Sequence, residues 1–313
     1  MIITNLIGGL GNQLFQFAAG LALAQRHGTE LRVSVDHFEG YSLHQGYELE
    51  RVFAATLQLA SSQDLARALG VCRGPSSRRM LSYLAKRRWL KPDLLGGHAL
   101  FEPSPTYWQG WEQAGADAYL HGYWQSERYF SAAASELRAA LRFRAPPSTE
   151  NAEWIERIQG CAAVAMHVRR GDYSTAKNSG IYAQCTPDYY RAAMSQILIA
   201  EPRAEFFVFS DEPAWAQQML DRPGLKLQVV EHNRGPESYN DMRLMSCCSH
   251  FIIANSTFSW WGAWLGEKPG SKVIGPQAWF NAPGTSIDML PARWARVQFN
   301  PNNAHSQVEE DGT

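Results

Sequence analysis

Ala162-Ala163-Val164-Ala165-Met166-His167-Val168-Arg169-Arg170-Gly171-Asp172-Tyr173 is the stretch that decides the fold. Its first part, Ala162 to Met166, is a short apolar run of the kind that forms a buried parallel strand. Two adjacent arginines follow at its end. In open α/β sheets, ligands bind outside the carboxyl ends of the strands. A guanidinium is planar, permanently charged and forked, so it matches phosphate oxygens in a way lysine does not. The segment reads as a strand delivering two cations to a diphosphate-bearing substrate. A surface arginine pair bridged to Asp172 would look the same in isolation, so the surrounding sequence decides.

Working outward, the second half alternates strands and helices. Strands are expected at Phe206 to Phe209, Leu227 to Val230, His250 to Ala254 and Val273 to Gly275, with helices such as Pro187 to Ala200 and Pro213 to Leu220 between them. That is a doubly wound α/β pattern. The first half opens in the same way. Met1 to Leu6 reads as a strand, Gly8 to Gln13 as a glycine-rich loop, Leu14 to Arg26 as a helix and Leu31 to Val35 as a second strand. Leu57 to Lys91 reads as helical, Gly96 to Gly122 as loops with short strands, and Ala132 to Phe143 as a helix. Ala145-Pro146-Pro147-Ser148-Thr149 marks a linker or helix start. The expected domains are 1–150 and 151–300, and 301–313 is a polar tail expected to be disordered.

Composition excludes several classes. The chain has 313 residues, 45% hydrophobic and 19% charged, which suits a soluble protein with a sizeable core. A net charge of -1 gives no global reason to expect nucleic acid. No apolar run approaches the roughly 20 residues of a bilayer span, and the N-terminus lacks the basic start and cleavage site of a signal peptide. The five cysteines show no C-x-x-C spacing. Their odd number argues for a reducing compartment, so a cytoplasmic location is expected.

Three further segments could carry chemistry. Gly8-Gly9-Leu10-Gly11-Asn12-Gln13 is close to a dinucleotide fingerprint, with Asp36 where a ribose-binding acid would sit, but Leu14 replaces the third glycine. Asn12 and Gln13 can still present amides to a sugar or phosphate. Phe206-Phe207-Val208-Phe209-Ser210-Asp211-Glu212 is an apolar strand ending in carboxylates; Asp211 could accept from a base amine or ribose hydroxyl, or Ser210 to Glu212 could simply cap the helix opening at Pro213. Ile253-Ala254-Asn255-Ser256-Thr257-Phe258-Ser259-Trp260-Trp261-Gly262-Ala263-Trp264 runs from a strand through a polar cluster into a helix whose N-terminus would suit phosphate. At least two of its tryptophans read as core. The arginine loop and the Asp211 and Asn255 segments all lie at the ends of apolar runs in one α/β half and together describe a nucleotide-diphosphate site.

These residues resemble the α-1,2-fucosyltransferases of glycosyltransferase family 11, chiefly the bacterial ones. The resemblance spans most of the chain. It rests on G-G-L-G-N-Q-L-F-Q-F from Gly8, Tyr47-Glu48-Leu49-Glu50, the segment Gly122 to Phe130, H-V-R-R-G-D-Y from His167 and N-S-T-F-S-W-W-G-A-W-L from Asn255. Glu212 stands where a second aspartate is usual, and Trp124 where phenylalanine is common. Ser76 to Gly97 matches no family pattern. The resemblance implies a GT-B fold, two Rossmann-like domains facing a cleft, with GDP-fucose held by the C-terminal domain 151–300 and much of the acceptor by the N-terminal domain 1–150. His167, Arg169 and Arg170 would lie beside the nucleotide of GDP-fucose, Asp211 by the guanosine, and Ser256, Thr257 and Phe258 on phosphate, with Asn255 in the same donor site. Asn12, Gln13 and Asp36 would lie on the acceptor side.

The reaction expected from this resemblance is an inverting transfer of L-fucose to the 2-hydroxyl of a β-galactoside or a lipid-linked glycan. Arg169 and Arg170 would stabilise the charge growing on the leaving GDP, and Asp172 would act beside them or orient them. No D-x-D occurs and no His/carboxylate cluster has metal-ligand spacing, so no metal or cofactor is expected. Asp36 and Glu48 are candidate bases that sequence does not separate. Between Arg73 and Lys91 lie seven basic residues and no acid. That segment could be a basic helix on the domain or a peripheral contact with the inner face of an anionic membrane. Two other classes remain: an NAD-dependent oxidoreductase using Gly8 to Asn12 and Asp36, and a non-catalytic glycan-binding protein.

Overall fold

The computed structural model describes residues 1–39, 45–70, 74–87, 98–170, 180–282 and 284–299. The chain forms two compact units, Met1–Ala145 with Ile287–Pro291, and Pro146–Ser286 with Ala292–Thr313. The boundary expected after residue 150 thus falls after Ala145. The return of Ile287–Pro291 to the first unit was not expected from sequence. Asp288 holds it there, accepting from the Tyr107 N–H at 2.9 Å and pairing with Arg128 at 3.2 Å, while Met289 and Leu290 are buried.

The first unit is built on a five-stranded parallel sheet in the order β3-β2-β1-β5-β4. These strands are β1 (Ile2–Asn5), β2 (Leu31–Ser34), β3 (Gln58–Leu59), β4 (Ala99–Phe101) and β5 (Ala118–His121). Its first helix, α1 (Leu10–His27), starts earlier than the sequence suggests, so Gly11 to Gln13 belong to its first turn rather than to a loop. Gly9 is its N-cap and Gly8 has φ +77°, a conformation that favours glycine. A Cβ at Gly20 would lie 2.9 Å from Leu31 and 3.0 Å from Thr4, so glycine there lets α1 lie close on the sheet.

Leu57 to Lys91 is not one helix. After α2 (Leu49–Val52) comes β3, then α3 (Ser62–Leu69) and α4 (Pro75–Lys86). Ser61 and Asp64 make a reciprocal capping box that starts α3, and Gly70 ends it. The basic residues of α4 do not all face water. Arg78 is 1% exposed and Leu81 is buried, whereas Met80 and Tyr83 are exposed. A helix with an arginine turned into its own domain is not a uniformly solvated basic face. Arg73, Arg88 and Lys91 lie outside the described residues. The unit closes with α5 (Ala134–Ala140).

The second unit has a six-stranded parallel sheet in the order β11-β10-β9-β6-β7-β8. Its strands are β6 (Ala163–Val168), β7 (Glu205–Ser210), β8 (Lys226–Val230), β9 (His250–Ile252), β10 (Val273–Pro276) and β11 (Ala295–Val297). The chain winds from β6 outward to β8, returns to β9 beside β6, and winds the other way to β11. That is the doubly wound Rossmann order, with its switch point between β6 and β9. Helices α6 (Thr149–Gln159), α7 (Pro187–Ala200), α8 (Pro213–Leu220), α9 (Tyr239–Cys247) and α10 (Thr257–Gly266) connect or flank the strands. β6 is buried throughout, as a central parallel strand should be. Trp260, Trp261 and Trp264 on α10 are all fully buried and pack against one another, so all three are core.

Both units are Rossmann-like α/β sheets, the composition of a GT-B-like protein. No helix among the described residues is long and apolar enough to cross a membrane. Cys161, Cys185, Cys247 and Cys248 are free thiols, and Cys248 is buried while Cys247 is partly so. The polar tail 301–313 lies outside the described residues.

Candidate active site

Parallel register builds the arginine site. Val168, the last residue of β6, pairs with Ser210, the last residue of β7. The next residues on each strand therefore emerge side by side: Arg169 and Arg170 beside Asp211 and Glu212. Arg169 Nη1 lies 3.4 Å from Asp211 Oδ2, and the Arg170 backbone N–H donates to Asp211 Oδ1 at 3.0 Å. Arg170 Nε lies 3.2 Å from Glu212 Oε2, and its guanidinium sits 3.8 Å above the Trp215 ring. Both arginines are partly exposed, at 28% and 24% of their side chains. Asp211, Glu212 and Trp215 thus fix the orientation of both guanidinium groups. Asp211, expected beside a nucleoside, has its carboxylate in this brace. Glu212 is the N-cap residue of α8 and its side chain makes no capping bond. Asp172 lies outside the described residues.

On the other side of the switch point, β9 leads into the N-terminus of α10. Ser256 is its N-cap residue without a side-chain cap bond, and no acid occupies the first turn. The first N–H groups of a helix have no partner inside it and carry its positive dipole end. Thr257 and Phe258 open that turn. Asn255 is 1% exposed and donates to the backbone carbonyls of Ala183 and Trp279, the latter at 3.1 Å. Its amide nitrogen clips the chain around α10, a task sequence alone did not reveal.

His167, on β6, bridges the two halves of the site. Its ring centroid lies 6.0 Å from that of Phe258. Its Nδ1 is buried with no hydrogen-bond partner among the described residues. Burial, reinforced by the nearby Arg169 charge, lowers its pKa to about 4. The imidazole is neutral at neutral pH and does not compete with the arginines for an anion. Thus the structure brings His167, Arg169, Arg170, Asp211, Asn255, Ser256, Thr257 and Phe258 to one sheet edge.

A polar cluster that sequence reasoning missed lies at the same edge, beyond β8. Asn233 Nδ2 donates to Asp241 Oδ1 at 2.9 Å, and Asn151 and Asn233 exchange bonds of 2.9 and 3.1 Å. Burial pushes the Asp241 carboxyl up to about 7 despite the Asn233 bond. The signal available was H-N-R from His232 followed by N-D from Asn240, which is too common to single out.

In the first unit, the residues expected on the acceptor side are occupied differently from one another. Gln13 is fully buried and laces three segments: it donates to Gly8 O at 3.0 Å and Gly46 O at 2.8 Å, and accepts from the Glu48 N–H at 3.0 Å. Asn12 Oδ1 accepts from Gln125 Nε2 at 2.8 Å. Asp36 pairs with the buried guanidinium of Arg78 at 3.1 Å and accepts from Ser34 Oγ at 3.2 Å. Glu48 pairs with Arg51 at 2.7 Å, and burial raises its pKa against that pairing. No group of three or more His, Cys, Asp and Glu side chains suited to hold a metal occurs among the described residues.

The model of glycosyl transferase family 11 matches residues 113–295, more than half of the chain. An alpha-1,2-colitosyltransferase of Escherichia coli is 30% identical over 303 residues, covering 95% of this chain and 99% of that protein. The O-antigen biosynthesis glycosyltransferase WbnK of Escherichia coli is 39% identical over 118 residues, 37% of this chain and 38% of its own length. A galactoside alpha-(1,2)-fucosyltransferase 1 of Saimiri boliviensis boliviensis is 28% identical over 105 residues, 33% of this chain and 28% of its own. The chain belongs to glycosyl transferase family 11.

Proposed function

We propose that this glycosyltransferase moves L-fucose from GDP-β-L-fucose to the 2-hydroxyl of a terminal galactose, with inversion, forming an α-1,2 linkage. The observation that carries the reading is Arg169 and Arg170 at the end of β6, at the switch point that also holds the α10 N-terminus. Positive charge from two directions suits a diphosphate. The names of the colitosyl- and fucosyltransferase relatives support a deoxy-L-galactose as the sugar moved and a 1,2 linkage as the bond made.

In this reading the acceptor hydroxyl oxygen bonds to the anomeric carbon as the bond to the β-phosphate oxygen breaks, and the electron pair leaves with GDP. Negative charge grows on the leaving diphosphate. Arg169 and Arg170 meet that charge in a geometry already set by Asp211, Glu212 and Trp215, so little reorganisation is needed. The N–H groups of Thr257 and Phe258 would add to it. Asp211 and Glu212 act as positioning residues. The hydroxyl proton leaves late in a dissociative transfer and passes to water, since Asp36 and Glu48 each have a cationic partner already. No step is routed through a metal. Lipid-linked glycans are acceptors consistent with the O-antigen role in the name of one relative.

The test is acceptor-stimulated GDP release from GDP-fucose and from GDP-colitose, across lactose and β-1,3- and β-1,4-galactosyl-hexosamines. The reading predicts turnover of GDP-fucose and a product with one deoxyhexose on O2 of galactose. Turnover of GDP-colitose alone would replace the donor. Release with no galactoside, or a linkage to another hydroxyl, would contradict the acceptor half.

A further inference from the structure

Two faces of opposite character make up α4. It reads Pro75-Ser76-Ser77-Arg78-Arg79-Met80-Leu81-Ser82-Tyr83-Leu84-Ala85-Lys86. Ser76, Arg79, Met80, Tyr83 and Arg87 share one helical face, spaced at i, i+3, i+4, i+7 and i+11. Arg87 follows the last helical residue, and its N–H donates to Tyr83 O at 3.3 Å, which extends that face by one position. All five residues are exposed, Met80 at 57% and Tyr83 at 52%. The opposite face carries Arg78 and Leu81, both buried.

The inner face is locked. Arg78 pairs with Asp36 at 3.1 Å and donates to Tyr119 Oη at 3.1 Å, and Leu81 packs in the core with Leu65, Leu69, Phe101 and Tyr119. Turning Met80 and Tyr83 inward would break that ion pair and push Leu81 into water. The fold therefore holds an apolar chain and an aromatic ring outward, side by side among cations. The charge is one-sided as well. No acid lies on α4, and Arg73 to Lys91 holds seven basic residues and no acid. A helix face that only meets water is helped by opposite charges three or four residues apart; the sequence of α4 supplies none. The Arg87 guanidinium lies 5.0 Å from the Tyr83 ring centroid, so cation and ring present themselves together.

We propose that the outer face of α4, with Arg79, Met80, Tyr83 and Arg87, docks the first unit on an anionic phospholipid surface. Met80 and Tyr83 sit at the boundary between headgroups and acyl chains, and the two arginines take lipid phosphates. The chemistry fits on each count. Tyrosine rings favour the headgroup level of a bilayer. A basic helix with apolar side chains on its lipid side lies in the interface plane. Guanidinium forks match phosphate oxygens. A nucleic acid would meet the charge but leave Met80 in water, and an apolar protein groove would give the arginines no anion. No helix among the described residues is long and apolar enough to cross a membrane, so through α4 the contact is with the surface only. The proposal holds whichever sugar the enzyme moves.

The test is co-sedimentation of the full chain with vesicles of phosphatidylglycerol and phosphatidylethanolamine, against vesicles of phosphatidylcholine. Two double variants are compared with wild type, Arg79→Glu with Arg87→Glu, and Met80→Ser with Tyr83→Ser. All four positions face water, and urea unfolding on the same samples checks the fold. Wild type is expected on the anionic vesicles and not on phosphatidylcholine. The charge reversal should lower partitioning about tenfold or more, since each basic residue near an anionic surface contributes about fivefold. The Met80 and Tyr83 pair should lower it about fivefold or more, through lost apolar contact. Wild type that stays in the supernatant with both kinds of vesicle overturns the proposal, and so does partitioning of either folded variant equal to wild type. Soluble polyglutamate that competes wild type off the vesicles as well as added anionic lipid does would also overturn it, in favour of an acidic protein partner. If one double variant fails to fold, the other decides alone.

Discussion

Arg169→Ala is expected to lower kcat by about a thousandfold while leaving the fold in place. Removing one donor aimed at developing charge typically costs about 10²–10³ in rate, and a lost arginine on a transferring phosphate costs more. The structural cost should be small. The Arg169 side chain is 28% exposed and pairs with an Asp211 that is 22% exposed. Such a partly buried pair lies between an exposed one, worth about 0–1 kcal/mol, and a buried one, worth about 3–5 kcal/mol when broken. Urea unfolding should therefore shift by about 1–2 kcal/mol, too little to unfold the chain. Steady-state kinetics on the same preparation separates the two effects. Arg169→Lys should recover only part of the loss, because an ammonium keeps the charge but not the fork. A kcat for the alanine variant within tenfold of wild type would remove Arg169 from the mechanism.

Asp36→Ala carries the opposite signature, a large loss of stability. Arg78 is 1% exposed, with Asp36 at 3.1 Å, Tyr119 Oη at 3.1 Å and Asn5 Oδ1 at 3.4 Å. Deleting the carboxylate leaves a buried cation with neutral acceptors only. Breaking a buried pair costs about 3–5 kcal/mol; Asp36 is itself 36% exposed, so the expected loss is about 2–4 kcal/mol. Adding Arg78→Met should recover part of it, since the uncompensated charge then disappears. Chemical denaturation of the two variants measures this. Unchanged stability with a collapsed kcat would return Asp36 to the acceptor chemistry suggested by its place in the sequence.

What could be read from the sequence follows the burial of each segment. The Ala162 to Met166 run, with the apolar runs at Phe206, His250 and Val273, was visible because central parallel strands are apolar on both faces; the edge strand at Leu227 showed through its Leu and Val residues although it is only partly buried. Two strands were not visible: β11 has two exposed residues in three, and β3 is exposed at both positions. β4 and β5 fall within the Gly96 to Gly122 segment, read as loops with short strands but without their bounds. The site was legible as motifs but not as pairings. Asp211 and Glu212 brace the arginines because Val168 is in register with Ser210, and register is a tertiary property. Likewise Asn255 and Gln13 look like ligand-facing amides in sequence, and only the fold shows the backbone carbonyls they hold. Arg78 read as one more charge on a basic helix; its inward turn depends on Asp36, Asn5 and Tyr119, far from it in the chain.

The most direct measurement of the central claim is a crystal structure of the protein with GDP. The diphosphate is expected against the guanidinium groups of Arg169 and Arg170 and the N–H groups that open α10 at Thr257 and Phe258. A diphosphate seated instead on the Gly8 to Asn12 turn, with ribose at Asp36, would contradict it.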